Sequence, residues 1–354
     1  MAVSLLWILN LKHHILPLSR NSLNMTDSSL IAQLTLLATP FLLTFTLVLA
    51  LMLDYFLGEP KKYHQLVGFG NLANLIERVL NNPAQQNSHF CTSNAMLGAV
   101  AWCILILPIC YLSYYLLALF PLSVKLIIEV ICLYLAIGLN SLNEHAMQVF
   151  KPLVQEDLIT ARHYTGYLVS RETADLSPEE MSRATVESML ENGHDAVIAS
   201  LVYFIIGGIP LVILHRLANT LDAMWGYKNT RFKSFGFFAA RADDILGFIS
   251  GKICTLLYAL QRPFVLALKN AYRQGNQYKS HNGGWVMAAG ATVMKRTLGG
   301  NASYHGKTVT SPTLGVGDSI NIEDIPRSIA VVQQAAISLV LLVFIYQLVS
   351  YLLV

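Results

Sequence analysis

The chain has 354 residues, of which 54% are hydrophobic and only 13% are charged, and its mean hydropathy is +0.50. Because soluble domains carry about 25% charged residues, this composition excludes disordered, collagen-like and coiled-coil proteins and predicts an integral membrane protein. The net charge of +3 is too small to indicate nucleic-acid binding, and none of the five cysteines forms the C-x-x-C pair of a zinc or disulfide framework.

The first 24 residues differ in character from the rest of the chain. Met1–Leu18 is apolar but interrupted by Lys12, and it lacks the basic start and the cleavage site of a signal peptide. We expect residues 1–24 to be a dispensable N-terminal extension ahead of Met25. Residues 25–354 are then expected to form a single membrane-embedded catalytic domain.

Several apolar runs are long enough to cross a membrane, since a spanning helix needs about 20 mostly apolar residues. The sequence predicts an all-α polytopic membrane protein with about four to six membrane helices and helical cytoplasmic segments. The third run contains Glu129, which we expect to face other helices or to lie near an interface. The four clear runs are Leu30–Leu57, Ala95–Phe120, Val124–Leu139 and Ile329–Val354.

Two further apolar runs allow two interpretations. Ala196–Leu217 is broken by Gly207-Gly208-Ile209-Pro210, and Ile245–Leu268 carries Lys252 and Arg262. Each half of the first run is too short to span, so it is compatible with a re-entrant hairpin, and a similar break is conceivable around Gly247 and Gly251. Two tilted spanning helices are the alternative.

Four large polar segments all carry basic residues, which mark the cytoplasmic side of a membrane protein. Only the turn Pro121-Leu122-Ser123 is expected outside. A cytoplasmic position for every polar segment requires Ala196–Leu217 to return to its starting side. The polar segments are Gly58–Asn94, Asn140–Asp195, Ala218–Asp244 and Asn270–Arg327.

The densest chemical signal is an acidic helix that begins at Ser177, where Ser177, Pro178 and Glu180 have the pattern of a helix start. Glu187 and Glu191 are four residues apart and share one face. That face leads into an apolar run, where uncompensated carboxylates are expensive, which favours a function over a merely solvated acidic surface.

Two more clusters occur at the ends of apolar runs. Asn219 and Asp222 precede Gly226, which permits a turn presenting Tyr227 and Lys228, although an interfacial loop with an aromatic anchor has the same composition. Arg241, Asp243 and Asp244 open the next run. Adjacent aspartates can cap a helix, and they can also hold Mg²⁺ together with substrate phosphates.

These clusters, taken together, resemble the cobalamin-biosynthesis membrane protein family of adenosylcobinamide-phosphate synthases, which condense cobyric acid to cobinamide. The resemblance covers roughly Leu47–Arg327. Three departures are Ala196, Gln65 and His281, where the family usually has glycine, proline and proline. The matching motifs are Leu53-Asp54, Gly58-Glu59-Pro60, His64, Arg171, Glu187-Ser188, Glu191-Asn192, Asp195, Asn219–Asp222, Gly226–Lys228, Arg241, Asp243-Asp244, Ser280, Asn282, Leu298–Gly300, Tyr304 and Leu314-Gly315.

The resemblance implies ATP-dependent formation of an amide between aminopropanol, or its phosphate, and the free carboxylate of adenosylcobyric acid. The implied cofactors are ATP and Mg²⁺. The implied setting is the bacterial inner membrane with a cytoplasmic active site, and other membrane enzymes of cobalamin assembly are the expected partners. The glycine-rich sequence Leu298-Gly299-Gly300 is expected to form a small turn, and it does not have the G-x-x-x-x-G-K-[ST] pattern of a Walker A loop.

Residue roles follow from that chemistry and from the matched motifs. Glu187, Glu191, Asp243 and Asp244 are candidate Mg²⁺ ligands; Asp222 is a candidate base; Lys228, Arg171 and Arg241 are candidates for stabilising phosphoryl charge; Asn219 and Tyr227 are candidates for cofactor contacts; and Asp54, His64, Asn192, Asn282 and Tyr304 are candidates for substrate contacts.

A membrane transporter or sensor without catalysis is the competing hypothesis. Broken helices are common at transporter binding sites, and Gly207–Pro210 has that composition. Related membrane proteins linked to β-lactamase regulation share the broader superfamily. Charged clusters at helix ends rather than inside spans favour the enzyme.

Overall fold

The computed structural model describes residues 39–59, 65–81, 89–169, 172–304 and 307–353, with the backbone alone at 65–66 and 301–309. The predicted extension at residues 1–24 lies outside these residues. A short 3₁₀ turn, Thr39–Phe41, opens the described part of the chain. The helices are α1 Leu42–Leu57, α2 Gln65–Leu80, α3 Thr92–Leu119, α4 Leu122–Ala136, α5 Leu139–Val154, α6 Leu158–Leu168, α7 Pro178–Asn192, α8 Ala199–Trp225, α9 Phe237–Ala259, α10 Phe264–Gly275, α11 His281–Met294 and α12 Asp324–Leu352.

Five helical segments among the described residues are long and apolar enough to cross a membrane. The all-α polytopic class predicted from sequence is therefore confirmed. Glu129 of α4 is buried, and its Oε1 lies 4.0 Å from the position that a Cβ at Gly208 of α8 would occupy, so it faces another helix as expected. The segments are Thr39–Leu57, Thr92–Leu119, Leu122–Val154, Pro178–Trp225 and Asp324–Leu352.

The segment Pro178–Trp225 is not a straight rod, because the chain reverses inside α8. Gly207 and Gly208 have non-helical backbone angles, and Gly208 has φ 66° and ψ −159°. The rings of Tyr203 and His215 stack with centroids 5.1 Å apart, whereas twelve residues of continuous helix would separate them by about 18 Å. The re-entrant hairpin is therefore the arrangement in the structure, with arms Ala199–Ile206 and Ile209–Trp225.

The second ambiguous run does not behave as expected. Helix α9 continues unbroken through Gly247 and Gly251 and ends at Ala259, so neither a break at these glycines nor a span over Ile245–Leu268 is correct. Of the two glycines, Gly247 allows close packing, whereas an added Cβ at Gly251 would be at an ordinary contact distance. A Cβ at Gly247 would lie 2.7 Å from Asn282 Nδ2, and one at Gly251 would lie 3.5 Å from His194 Nε2.

A small sheet that the sequence reasoning did not predict follows α11. Strand β1 (Arg296–Tyr304) pairs antiparallel with β2 (Lys307–Gly315) and parallel with β3 (Asp318–Ser319). The sequence Leu298-Gly299-Gly300, which we expected to be a glycine-rich turn, lies within β1 at an irregularity in the register. Arg296 of β1 donates to Asp324 Oδ2 at 2.7 Å and so ties the sheet to the start of α12.

Two apolar clusters pack against the hairpin. The first arm belongs to the larger cluster, with α4, α7 and α12, through Leu201 and Val202. The start of the second arm also belongs to the larger cluster, through Ile209 and Val212, and its end belongs to a smaller cluster with α2 and α3, through Leu221 and Trp225. The start of α9 lies beside the second arm, so the hairpin brings the end of α7, the end of α8 and the start of α9 together.

Candidate active site

The acidic helix α7 begins with the predicted capping box, in which Ser177 Oγ accepts from the Glu180 amide and the Glu180 carboxylate accepts from the Ser177 amide. One turn before its end, Glu187 Oε1 accepts a hydrogen bond from the Gly299 amide at 2.9 Å. Glu187 therefore joins α7 to the sheet. Glu191 interacts electrostatically with Asp195 and Lys279, and its carboxylate lies against the backbone of Gly283.

Beyond α7, residues Gly193–Ile198 form a π-helical segment. Such segments are frequent at functional sites. Here His194 Nδ1 lies 2.7 Å from Asp195 Oδ1, and His194 Nε2 lies 2.8 Å from Ser250 Oγ of α9. His194 is buried, whereas Asp195 is 30% exposed, so the histidine orients a carboxylate that reaches solvent.

The second hairpin arm and α9 add more carboxylates to this point. Asp222 interacts electrostatically with both Asp195 and Asp244. Asp243 interacts with Asp195 and Asp222, and its Oδ1 accepts from Asn219 Nδ2 at 3.4 Å. Three segments that are distant in sequence thus contribute to one acidic cluster, which we define as Glu191, Asp195, Asp222, Asp243 and Asp244.

The pKa of Asp243 in α9 shows the effect of burial and of the neighbouring carboxylates of this cluster. Burial, reinforced by the charges of Asp195 and Asp222, raises the pKa of Asp243 to about 8. A carboxyl group in this environment stays protonated near neutral pH unless a cation compensates the charge. The acidic cluster therefore favours binding of positive charge.

Basic side chains border the cluster. Arg216 of the second arm interacts with Asp195 and with Glu59, and exposed Lys279 interacts with Glu191. Arg241 lies 3.4 Å from Asp244 and 5.5 Å from the Phe237 ring centre. This combination of carboxylates and cations suits a substrate that carries phosphate groups together with a divalent ion.

The side chains of the cluster are of the type that binds Mg²⁺, but they do not form a complete coordination shell by themselves. Among the residues that the structure describes, no three His, Cys, Asp or Glu side chains are close enough to form a metal site. Mg²⁺ is usually bound through one or two carboxylates plus substrate phosphates, and the cluster can supply the carboxylates. Asp243 and Asp244 suit this role, whereas Glu187 already accepts the Gly299 amide.

Comparison with known proteins places the chain in a family. The CobD/Cbib protein model matches residues 47–332, which include the whole acidic cluster. The chain belongs to the CobD/Cbib protein family.

Several curated relatives agree with this assignment. A cobalamin biosynthesis protein CobD of Stutzerimonas stutzeri is 44% identical over 285 residues, covering 80% of this chain and 91% of the relative. Its namesake in Chromobacterium violaceum is 43% identical over 288 residues, covering 81% and 91%. That of Klebsiella pneumoniae is 32% identical over 311 residues, covering 84% and 94%. No solved structure matches the chain.

In this CobD/Cbib protein, several residues predicted for the site lie at the edge of the acidic cluster or form hydrogen bonds outside it. Asn282 donates to the Asp244 carbonyl at 2.9 Å, so it joins α11 to the cluster. Asn192 is exposed and donates to Ser188. Tyr227 and Lys228 are exposed and make no hydrogen bond or ion pair with other described residues.

Asp54 has a structural use in this CobD/Cbib chain. It is buried, and its Oδ2 accepts from the Asn140 amide at 2.9 Å, in the first turn of α5. Its carboxylate therefore accepts from one of the amides that the start of that helix leaves without an intrahelical partner. His64, Arg171 and the side chain of Tyr304 lie outside the described residues.

Sequence reasoning did not propose His194, Arg216, Ser250 or Lys279 for this site. His194 and Ser250 form the support of Asp195, and Arg216 reaches Asp195 only because α8 reverses. One signal was available, since His215-Arg216 places polar side chains at the end of an apolar run, where they require partners. The pairing of His194 with Ser250 had no local signal, because 56 residues separate them.

Proposed function

We propose that this protein acts in cobalamin biosynthesis as an ATP-dependent carbon–nitrogen ligase, an adenosylcobinamide-phosphate synthase. It joins aminopropanol, or its phosphate, to the free carboxylate of adenosylcobyric acid and forms an amide. The chain lies in the bacterial inner membrane as a multi-pass protein, with the site facing the cytoplasm, where ATP is available. Membership of the CobD/Cbib family supports the pathway.

The observation that carries the proposal is the convergence of carboxylates from α7, α8 and α9 beside Arg216 and Lys279. A free carboxylate is a poor acyl donor, and an amine arrives as an ammonium ion. The reaction therefore needs groups that bind phosphates and a group that removes a proton, and both kinds surround this cluster.

The chain's own residues have separable roles in this scheme. Asp222 is half-buried beside Asp195 and Asp244, and it is positioned to accept a proton from the incoming ammonium. Arg216 and Lys279 offset negative charge on substrate oxygens. Arg241 and Lys228 lie at the exposed rim and steer anionic substrates towards the cluster.

Asp243 and Asp244 would hold Mg²⁺ together with the phosphates of ATP, which leaves Asp222 to act as the base. When bound, ATP and Mg²⁺ supply a phosphoryl group that activates the carboxylate of the corrinoid, with its charge neutralised by the metal. His194 orients Asp195 towards this region through the 2.7 Å contact.

Amide formation by the purified protein tests the proposal. Product should appear only when ATP and Mg²⁺ accompany cobyric acid and the amino-alcohol, and EDTA should abolish it. Asp222→Asn should lower kcat by about a hundredfold or more, in the range of general-base catalysis. Asp157→Asn is the matched control, because Asp157 caps α6 by accepting from the Thr160 amide and asparagine caps a helix equally well.

A ligand-binding membrane protein is the competing function, since the broken hairpin at Gly207–Gly208 also suits a transporter. A strain that lacks the gene separates the two. The ligase proposal predicts growth on cobinamide but not on cobyric acid. Equal rescue by both compounds, or full activity in EDTA with ATP absent, would contradict it.

A further inference from the structure

An open groove lies at the turn between α9 and α10, and no step of the proposed reaction uses it. Its volume is about 640 Å³. The residues that line it are consecutive or one helical turn apart, so a single short segment builds the groove. They are Arg262, Pro263, Phe264, Val265, Leu266 and Lys269.

The groove combines two cations with an exposed apolar floor. Val265 is 75% exposed, and Phe264 and Leu266 are also exposed. Arg262 and Lys269 make no ion pair with any other residue that the structure describes. Exposed apolar side chains next to uncompensated cations are complementary to an amphipathic anion.

The position of the groove along the membrane normal can be read from α12. Gln261, which precedes Arg262, donates to the Val331 carbonyl at 2.9 Å. Val331 lies about 10 Å along the helix from Asp324, the end with ion pairs to Arg296 and Arg327.

Towards the membrane, the first large apolar side chain that α12 exposes is Ile337, about 9 Å beyond Val331. The groove is therefore level with the boundary between the charged end of the bundle and its lipid-facing surface. Phospholipid headgroups occupy that depth.

We propose that this groove binds an anionic phospholipid of the surrounding membrane. Arg262 and Lys269 contact the headgroup phosphate, and Phe264, Val265 and Leu266 contact the upper part of an acyl chain. The site anchors the α9–α10 turn at the membrane surface. It is independent of the proposed ligase reaction.

A lipid fits the groove better than a free anion does, because a free phosphate would leave the exposed apolar floor in water. The apolar side chains and the two cations line the same groove. A ligand that contacts both must therefore have a negatively charged group next to an apolar group. Basic residues at a membrane surface attract anionic lipids by about 1 kcal/mol each.

The test measures lipid binding to the full-length protein in detergent micelles. Phosphatidylglycerol should bind more tightly than phosphatidylcholine and should raise the unfolding temperature, whereas inorganic phosphate should do neither. Arg262→Gln combined with Lys269→Gln should weaken phosphatidylglycerol binding about thirtyfold, which corresponds to about 2 kcal/mol for two basic side chains.

Arg273→Gln is the matched control, because Arg273 is an exposed cation of the same helix outside the groove. It should leave phosphatidylglycerol binding unchanged. If the double variant unfolds at a lower temperature in phosphatidylcholine as well, the single variant Lys269→Gln carries the test, with an expected loss of about fivefold. Unchanged phosphatidylglycerol binding in the groove variants, equal binding of the two lipids to the native protein, or an equal effect of inorganic phosphate would each overturn the proposal.

Discussion

The reversal of α8 at Gly208 is the feature on which the proposed site depends most. Gly208 has φ 66° and ψ −159°, a combination that side chains with a Cβ rarely adopt. A Cβ at this position would meet nothing closer than 3.9 Å, so Gly208→Ala adds backbone strain without a steric clash. Strain of this kind costs about 1–3 kcal/mol.

We expect Gly208→Ala to lower the unfolding temperature in detergent and to lower kcat by tenfold or more. The loss of activity follows because Asp195 lies just before the first arm of the hairpin and Asp222 lies on the second arm, and a displacement of about 1 Å can cost a hundredfold in rate. Unfolding monitored by tryptophan fluorescence and amide formation measured on the same preparation give the two values.

Gly68→Ala is the control for this experiment. Gly68 is an exposed residue inside α2, and nothing lies within 4 Å of the Cβ that alanine would add. Alanine there should stabilise the protein by about 0.5–1 kcal/mol, because glycine is unfavourable within a helix. The reasoning is refuted if Gly208→Ala matches Gly68→Ala in both unfolding temperature and activity.

Three further predictions concern the charged and buried groups around the site. Because the pKa of Asp243 is raised to about 8, its contribution to stability is present below about pH 4 and is lost as the pH rises towards 8. Asp243→Asn in EDTA should therefore flatten the fall in unfolding temperature between pH 4 and 8, and an unchanged slope would contradict this. Arg231→Ala leaves the carboxylate of Glu77, which is 2% exposed, without its partner at 2.6 Å, and should cost about 3 kcal/mol at neutral pH. Burial alone would raise the pKa of Glu77, but hydrogen bonds from Arg231 and Asn81 outweigh burial and lower that pKa. The free energies of unfolding of the variant and the native protein should therefore become more similar as Glu77 is protonated in acid. A difference in unfolding free energy that is constant with pH would contradict the reasoning. His194→Phe removes the donor to Asp195 and should lower kcat more than Ser250→Ala does, whereas equal effects on kcat would indicate a purely structural role for the histidine.

Local patterns predicted much of this molecule. The apolar runs located the membrane segments, because length and hydropathy alone decide whether a helix can cross a bilayer. The capping box at Ser177 was predicted because it involves residues three apart. The acidic residues of α7 and α9 were recognised because carboxylates beside apolar runs are unfavourable unless a partner or a function compensates for them.

Features that depend on tertiary contacts were not accessible in the same way. The sequence left the hairpin and a pair of spanning helices as equal alternatives, since a Gly-Gly-x-Pro break is compatible with a kink or with a full reversal. The strand β1 was mistaken for a turn because its glycines, Gly299 and Gly300, are usual in turns, while its pairing with β2 is long-range. The partner of His194 was not predictable because no periodicity connects the π segment to α9.

The measurement that tests the shared site most directly is the membrane sidedness of single cysteines. Asn192, Asn229 and Lys279 are exposed and mark the ends of α7, α8 and α10, so each accepts a cysteine in a chain whose five native cysteines are replaced. Ser123, in the turn expected outside, is the control. A membrane-impermeant maleimide should label the Ser123 position in intact cells and should label the other three positions only after the cells are opened. Labelling of the Asn229 position from outside, while Asn192 and Lys279 stay protected, would place Asp222 on the other side of the membrane from Glu191 and would contradict the shared active site.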